Sequence, residues 1–363
     1  MMSSPVGPDK FLAERLADRI RVDGPLAFDD WVEACLYDPD GGFYATGGAA
    51  GRRGDFLTSP EVGPLFGALL ARWLDDRWTA LGRPVGFTVV EAAAGVGTLA
   101  RAVLASDPAC LVEGRYVMVE RSSPLRAAQP TGDRLASVVS LEEVGPVDAG
   151  VVVANELLDN LAFGLAASDG ADWREVRVGL SPQNGPIETF VEVLGQPIEP
   201  SWPLSPAAAG AGVWVPVQAE AARWVESARE LIRRGSVLVF DYTSTTAELA
   251  ARPVGEWVRT YRGHDRGGPP VDAPGSQDVT VEVAVDQLPP GAVSSTQADF
   301  LRHHDIGDLV EAGSRLWEKR AHLGDLDALR ARSRISEAEA LLDPSGLGGF
   351  TVLEWHVSCS GGS

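Results

Sequence analysis

The sequence has 363 residues, 45% of them hydrophobic, and a mean hydropathy of −0.01, values that predict a globular protein with room for two lobes. Its 31 basic and 51 acidic residues give a net charge of −20, which disfavours nucleic acids and anionic membranes as partners and favours basic ones. No apolar run reaches membrane-spanning length, so no membrane insertion is expected, and three widely separated cysteines predict neither a disulfide framework nor a metal site.

The first forty residues predict a helical lead-in. Leu12, Leu16 and Ile20 recur at helical spacing, and a second helix is predicted around Trp31 and Val32. The N-terminal stretch has no apolar signal core, and its acidic residues are atypical of a mitochondrial presequence. We therefore expect a cytoplasmic protein.

A glycine-rich loop within residues 38–67 leads to a helix start. Thr58 and Ser59 are candidate caps, Pro60 is favoured at the first helical position, and Glu61 lies three residues after Thr58. The helix that follows is predicted over residues 62–78, with one apolar face.

The most informative segment is 87–104. Residues 87–91 are β-branched and apolar enough for a buried strand, whereas the apolar residues from Thr98 onward follow helical spacing. Between them, Gly95 and Gly97 allow a sharp turn and a close approach of a ligand to the backbone. A strand, a glycine turn and a helix N-terminus together predict a nucleotide-type site at the carboxyl end of a parallel sheet.

Two cofactors fit this turn. Gly95, Gly97 and Ala100 match the fingerprint of NAD-type dinucleotides. Glu91, however, closes the strand before the loop, and a carboxylate there suits the cationic cofactor S-adenosylmethionine (SAM) better than a pyrophosphate. A second strand ends at Glu120, which is placed to bind the ribose hydroxyls of either cofactor. SAM is favoured, while NAD and a turn without any ligand remain alternatives.

Residues 151–160 form a second polar strand end. A buried strand over 151–154 runs directly into Asn155, Glu156 and Asp159, where open sheets present their functional side chains. If Glu156 begins a turn or a helix, Asp159 shares its face. Residues of these types are as typical of a structural helix cap, so both interpretations stay open.

The remaining residues alternate between strand and helix patterns. The predicted elements are short strands and a connector within 165–215, an amphipathic helix over 218–234, a buried strand ending at Asp241, helices near 297–312 and 322–342, and a last strand over 350–355.

Four regions are expected along the chain. They are an N-terminal helical region with the GDFLTSPE loop (1–84), the first half of the core (85–165), an insertion with the amphipathic helix (166–235), and the remaining core strands with added helices (236–363).

Several sequence blocks occur in an order shared with one family. They are Gly54-Asp-Phe-Leu-Thr-Ser-Pro-Glu61, Val119-Glu-Arg-Ser122, Ala154-Asn-Glu-Leu-Leu-Asp-Asn160, Tyr261-Arg-Gly-His264, Asp278-Val-Thr280 and Gly348-Gly-Phe350. Over about residues 10–357 the chain thereby resembles the MidA-type SAM-dependent methyltransferases. That family includes the mitochondrial arginine methyltransferase needed for the assembly of respiratory complex I.

The resemblance implies an α/β fold, with a Rossmann-like SAM-dependent methyltransferase core, an added helical N-terminal region and inserted α+β elements. It also implies a set of site residues. SAM would be held by Glu91, Gly95, Gly97 and Glu120, and the cofactor and acceptor would be framed by the blocks Gly54–Glu61 (with Thr58, Ser59, Pro60 and Glu61) and Asn155–Asn160.

The cofactor loop departs from the family pattern. The family reads E-x-G-P-G-x-G-T, whereas Ala93 and Ala94 replace the first glycine and the proline here. If the family glycine has a positive φ, alanine costs on the order of 1 kcal/mol, roughly a factor of 5 in affinity if it falls on binding. We therefore expect weakened SAM binding rather than none.

The sequence therefore predicts a SAM-dependent methyltransferase that acts on a protein arginine, with Glu156 and Asp159 as the carboxylates that orient the guanidinium. The expected partner is a protein with an exposed arginine, by analogy a subunit of the NADH dehydrogenase complex, and a homodimer stays open. Two other functions also remain open, namely a SAM-binding assembly factor with little or no catalysis and an NAD-type oxidoreductase.

Overall fold

The computed structural model describes residues 8–45, 58–181, 188–263 and 265–358. The helices are α1 (Pro8–Asp23), α2 (Phe28–Tyr37), α3 (Ser59–Val62), α4 (Pro64–Ala80), α5 (Thr98–Leu104), α6 (Ser123–Ala127), α7 (Pro206–Ala209), α8 (Ala219–Leu231), α9 (Thr246–Ala250), α10 (Val254–Trp257), α11 (Gln297–His303), α12 (Ile306–Arg320) and α13 (Leu326–Leu342). The strands are β1 (Leu26–Ala27), β2 (Thr88–Ala92), β3 (Arg115–Val119), β4 (Leu135–Val138), β5 (Gly150–Asn155), β6 (Gly164–Ser168), β7 (Trp173–Leu180), β8 (Phe190–Ile198), β9 (Trp214–Val217), β10 (Gly235–Asp241), β11 (Thr243–Ser244), β12 (Val258–Arg262), β13 (Asp265–Arg266), β14 (Asp278–Val281), β15 (Val283–Ala284), β16 (Val293–Thr296) and β17 (Thr351–Val357).

The main sheet has seven strands in the order β4-β3-β2-β5-β10-β17-β16. Strands β4, β3, β2, β5 and β10 are parallel, whereas β17 is antiparallel to both β10 and β16. The chain moves from β2 outward to β3 and β4, and then returns to β5 on the other side of β2. The strand order therefore reverses between β2 and β5, and this is where open α/β sheets bind ligands. The predicted α/β fold is confirmed.

Apolar side chains cover both faces of the main sheet, as a buried parallel sheet requires. Val89, Val151 and Phe240 lie in one core cluster with helices α4, α5, α11 and α13. Val90 and Val152 lie in a second cluster, on the opposite face, with α8. The alternation of neighbouring residues between these clusters explains why the strands read as continuous apolar runs.

A second sheet is built mostly from the insertion. Strands β6, β7 and β9 form it together with β1 from the N-terminal region, and β8 pairs with β7. Helices α1 and α2 pack on it, and the rings of Phe28 and Phe163 are 5.7 Å apart. The insertion is thus more regular than the short strand patterns over 165–215 predict, because its strands pair with a distant segment of the chain.

Two predicted helices are interrupted. The helix expected over 62–78 is divided at Gly63 into α3 and α4, since Pro64 starts a new helix. The helix expected near 297–312 is divided into α11 and α12 at Asp305, whose φ is 60°. Among the described residues, no helix combines the length and apolarity needed to cross a bilayer.

Candidate cofactor and acceptor site

The carboxyl ends of β2, β3, β5 and β10 meet at one edge of the main sheet. At this edge each strand leads to a candidate site residue or loop. These are the loop 93–97 after β2, Glu120 after β3, Glu156 after β5, and Asp241 with Tyr242 at the end of β10. Because the strands are parallel neighbours, these groups lie beside one another along that edge, where open sheets bind ligands.

The loop after β2 contains three residues with a left-handed backbone and is open to solvent at Gly95. Ala93, Gly95 and Gly97 have φ values of 53°, 52° and 80°. A Cβ atom on Gly97 would lie 2.6 Å from Cδ of Pro130, so only glycine fits there. A Cβ on Gly95 would meet no heavy atom within 4 Å, because that side of the loop faces open space. The loop therefore offers a ligand direct access to its backbone.

Glu120 is attached to this loop. Its Oε2 accepts a hydrogen bond from the N–H of Gly95 at 3.0 Å, and its Oε1 accepts one from the N–H of Ser122 at 2.7 Å. Burial raises the pKa of Glu120, and the two backbone donors oppose that effect. A carboxylate can accept about four hydrogen bonds, so capacity for hydroxyl donors remains. The predicted contact with a ribose fits this geometry and stays a prediction.

Glu91 lies beneath the loop. Its side chain is 5% exposed, and its Oε2 accepts a hydrogen bond from the hydroxyl of Tyr116 at 2.7 Å. Burial raises the pKa of Glu91 to about 8, opposed by Tyr116 and by the backbone N–H of Ala100 in the first turn of α5. These contacts hold the strand to the helix. A contact between Glu91 and the cofactor remains a prediction.

The segment Thr58–Glu61 closes one side of the site. The hydroxyl of Thr98, the first residue of α5, donates to Oε1 of Glu61 at 2.8 Å. The backbone N–H of Ser59 faces the carboxylate of Glu156, and the hydroxyl of Ser59 donates to Oε1 of Gln297 at 2.9 Å. Thr58, Ser59 and Glu61 thus lie between the cofactor loop and the end of β5, with Pro60 among them. Residues 54–57 of the predicted block lie outside the described residues.

Glu156 does not begin a helix. Its φ is 52°, and its N–H donates to the carbonyl of Phe240 at 2.8 Å. The hydrogen bonding between β5 and β10 therefore extends to Glu156. The side-chain amide of Asn155 donates to Oε1 of Glu156 at 2.9 Å. Burial and the nearby Asp159 raise the pKa of Glu156 to about 8. Glu156 and Asp159 are therefore electrostatic neighbours, although no helix begins at Glu156 to place them on one face.

Asp159 lies in a 3₁₀ turn over Leu158–Asn160 and is 3% exposed. Its Oδ2 accepts a hydrogen bond from the hydroxyl of Tyr242 at 2.5 Å. The backbone N–H groups of Asp159 and Asn160 also face the carboxylate and oppose the rise in its pKa that burial causes. Its Oδ1 is buried and has no hydrogen-bond partner among the described residues. A buried carboxylate oxygen without a donor is costly, so this position is suited to a polar ligand.

The structure adds residues that the sequence did not place in the site. Asp241 is fully buried beside Asp159, and the hydroxyl of Tyr44 lies 3.1 Å from Oδ1 of Asn160 and 3.3 Å from Oδ1 of Asp278. Asp241 had a local signal, because it ends a buried strand just as Glu120 follows one. Tyr44 and Asp278 had none in spacing, since only the folded chain brings them to Asn160.

Comparisons with known proteins assign the chain to a family. The profile of the S-adenosyl-L-methionine-dependent methyltransferase family Methyltransf_28 matches residues 69–302. The chain belongs to this family. Family membership makes it a SAM-dependent methyltransferase, and SAM is its cofactor.

Relatives and solved structures extend the likeness over most of the chain. The protein arginine methyltransferase NDUFAF7 homolog of Drosophila melanogaster is 28% identical over 303 residues, covering 75% of this chain and 68% of its own. The Bos taurus NDUFAF7 is 26% identical, covering 81% and 73%. A COG1565 superfamily member from Burkholderia thailandensis, bound to S-adenosyl-homocysteine, superposes with a TM-score of 0.80 at 26% identity over 99% of this chain and 96% of its own. A native structure of a COG1565 protein from that organism gives 0.78 at 25% identity, with the same coverage.

The site residues of this methyltransferase fit SAM in three respects. The space beside Gly95 accommodates a ligand against the backbone, and Glu120 keeps acceptor capacity for hydroxyl groups. The acidic surroundings also suit a sulfonium better than a phosphate. Substitutions at Gly95 and Glu120 are accordingly the first tests of SAM binding.

Replacing Glu120 with alanine is expected to weaken SAM binding about ten-fold or more, because a charged acceptor for hydroxyls contributes about 1.5–3 kcal/mol. Titration calorimetry with SAM measures the effect. Asp75→Ala is the matched control, since Asp75 also accepts from two backbone N–H groups, those of Ala109 and Cys110, at 3.0 and 2.8 Å. If both variants lose stability alone and bind SAM normally, Glu120 has only a structural role.

The positive φ of Ala93 gives a second prediction. Ala93→Gly is expected to raise the free energy of unfolding by about 1 kcal/mol and to hold or improve SAM affinity, because glycine adopts this φ without strain. Ala273→Gly is the control, since Ala273 has a φ of 46° outside the loop and should gain stability alone. Denaturant unfolding and calorimetry measure the two quantities. A marked loss of affinity in Ala93→Gly would contradict the loop geometry.

Proposed function

We propose that this SAM-dependent methyltransferase methylates an arginine side chain of a partner protein. One observation carries the proposal: beside the cofactor loop, Asp159 presents a buried carboxylate oxygen that has no partner among the described residues. The half-buried Glu156 and the fully buried Asp241 add two more acids around it. A cluster of acids of this kind favours a cation with several N–H donors, which describes a guanidinium.

The acids would position the acceptor and receive its proton. SAM supplies an activated methyl group for an in-line displacement, a reaction that depends mainly on orientation. A guanidinium is protonated at neutral pH, so the nitrogen that becomes methylated must lose one proton. Oδ1 of Asp159 is the acceptor for that proton, and charge-assisted hydrogen bonds from the guanidinium to Asp159 and Glu156 fix its direction.

The charge of the whole protein supports a basic partner. The net charge is −20, and such a field attracts cationic segments and accelerates their association. The relatives from fly and cattle are both named protein arginine methyltransferases. By analogy with the resemblance described above, the partner is proposed to be a subunit of the NADH dehydrogenase complex, methylated during its assembly.

The proposal is tested by deleting the gene in the source organism and mapping methylated arginines by mass spectrometry, with the wild-type gene restored as the control. Loss of a methylarginine from the NADH dehydrogenase complex is the expected result. Loss from another protein would change only the partner. If every methylarginine survives the deletion, the arginine assignment is wrong.

A non-catalytic assembly factor would give a different pattern in the same strains. A variant that binds SAM but cannot transfer the methyl group should fail to restore the methyl mark. If that variant restores complex assembly without the mark, the protein acts through docking rather than through methylation.

A further inference from the structure

Asp159 is held in place by two consecutive residues at the end of the neighbouring strand β10, Asp241 and Tyr242. Asp241, the last residue of β10, is fully buried, and its Oδ2 accepts hydrogen bonds from the N–H groups of Leu158 and Asp159 at 2.9 and 3.3 Å. Its Oδ1 accepts one from the N–H of Tyr242 at 3.0 Å. Asp241 thus fixes the backbone of the turn that carries Asp159 relative to the backbone of Tyr242.

Tyr242 fixes the side chain of Asp159. Its hydroxyl lies 2.5 Å from Oδ2, and its ring packs 5.6 Å from that of Phe350, with the guanidinium of Arg259 at 5.4 Å from the ring centre. Because Phe350 and Arg259 both contact the ring, the hydroxyl has little freedom to move away from Asp159. With Oδ2 engaged, the carboxylate cannot rotate without losing a charge-assisted bond, so Oδ1 keeps one direction.

We propose that Tyr242 is a positioning residue for methyl transfer, which orients the carboxylate of Asp159 and favours its ionised form. Tyr242 acts through Asp159 rather than on the reacting atoms. The inference rests on the proposed acceptor site.

The charges around Asp159 explain why its ionisation needs support. Glu156 after β5 and Asp241 on β10 are both acids, Tyr44 follows α2, and Arg259 on β12 is the cation that faces it. Burial raises the pKa of Asp159, whereas Tyr242 and Arg259 lower it. Removal of the Tyr242 hydroxyl leaves burial opposed by fewer groups, and the pKa of Asp159 must then rise.

Tyr242→Phe tests the proposal because it keeps the ring and removes only the hydroxyl. A carboxylate acts above its pKa, so the acidic limb of the rate profile should move to higher pH by about one unit. The loss of rate should be about ten-fold near the old limb and should shrink as the pH is raised, with SAM affinity within about two-fold of wild type. Labelled SAM and an extract of the deletion strain serve as substrates, so no acceptor residue is assumed.

Ser244→Ala is the matched control. Ser244 lies two residues after Tyr242 along the chain but outside the acceptor site. Its hydroxyl donates to the buried carboxylate of Glu282. That variant should leave the pH profile in place. A profile that Tyr242→Phe leaves unchanged would overturn the proposal. A rate loss equal at every pH, together with weaker SAM binding, would also overturn it, because it would indicate a merely structural tyrosine.

Infrared titration of the carboxyl band without acceptor separates this inference from the proposed function. The band of Asp159 is identified by its absence in Asp159→Asn, and Tyr242→Phe should move its titration to higher pH. If it moves while the label is found on a residue other than arginine, the role of Tyr242 stands and the arginine assignment fails. If it does not move, the role of Tyr242 fails, whichever residue is labelled.

Discussion

Replacing Asp159 with asparagine is expected to lower methyl transfer by about 100-fold, because an acceptor that is no longer oriented in line loses most of the advantage of proximity. The asparagine has nearly the same shape and can still accept from Tyr242, so the turn over Leu158–Asn160 should persist. SAM affinity should stay within about two-fold of wild type, since the proposed site assigns this carboxylate to the acceptor rather than to the cofactor. Turnover of labelled SAM and calorimetry measure the two effects.

The control for this variant is Asp286→Asn, which removes the charge of a carboxylate that accepts from the N–H and hydroxyl of Thr246 at 2.8 and 2.9 Å, away from the site. Glu156→Gln should also reduce methyl transfer, but its new amide would face the donors on Asn155 and Ser59 and disturb the loop as well. Full activity of Asp159→Asn would remove Asp159 from the acceptor site. Equal loss of SAM binding would move it to the cofactor.

Gly95→Val is expected to weaken SAM binding more than 100-fold. The position has a φ of 52°, which is unfavourable for a β-branched residue, and the new side chain would occupy the open space beside the loop. Calorimetry with SAM and with S-adenosyl-homocysteine measures the loss.

Gly86→Val separates the two causes. Gly86 lies just before the same strand at its amino end, has a φ of 75°, and likewise has no heavy atom within 4 Å of its would-be Cβ. The variant Gly86→Val therefore has comparable backbone strain, but at the end of β2 that is remote from the predicted cofactor loop. Normal SAM affinity in Gly86→Val with loss in Gly95→Val is the expected pair. Unchanged affinity in a folded Gly95→Val would exclude the loop from the site.

The sequence predicted the parallel core well because buried strands have a local signature. The runs at 87–91 and 151–154 are apolar on both faces, and each ends in a polar residue, so strand, edge and polarity could be inferred together. The insertion over 165–215 was harder, since β6, β7 and β9 are stabilised by pairing with one another and with β1, far away in the sequence. Helix breaks at Gly63 and Asp305 depend on tertiary packing in the same way.

The site was predicted in its parts more than in its connections. Glu120 and Asp159 were both expected where buried strands end, and the structure has Glu120 directly after β3 and Asp159 in the 3₁₀ turn that follows β5. The partners that define their chemistry, such as Tyr242 and Ser122, could not be assigned from spacing, because hydrogen-bond direction depends on the folded geometry. Glu156 shows this most clearly, because the shared face with Asp159 was conditional on a turn or a helix beginning at Glu156, and its left-handed backbone begins no helix.

The position of β17 has a consequence for biosynthesis. This strand follows every other strand of the main sheet along the chain, yet it lies between β10 and β16 and pairs with all seven residues of β10, which are buried. Until the ribosome has added Val357, the apolar strand β10 of a nascent chain has one edge whose backbone groups lack their partner strand. Such an edge favours aggregation. Chains that terminate before Thr351 should therefore be insoluble or be retained by chaperones, even though they contain the entire loop that is predicted to bind SAM.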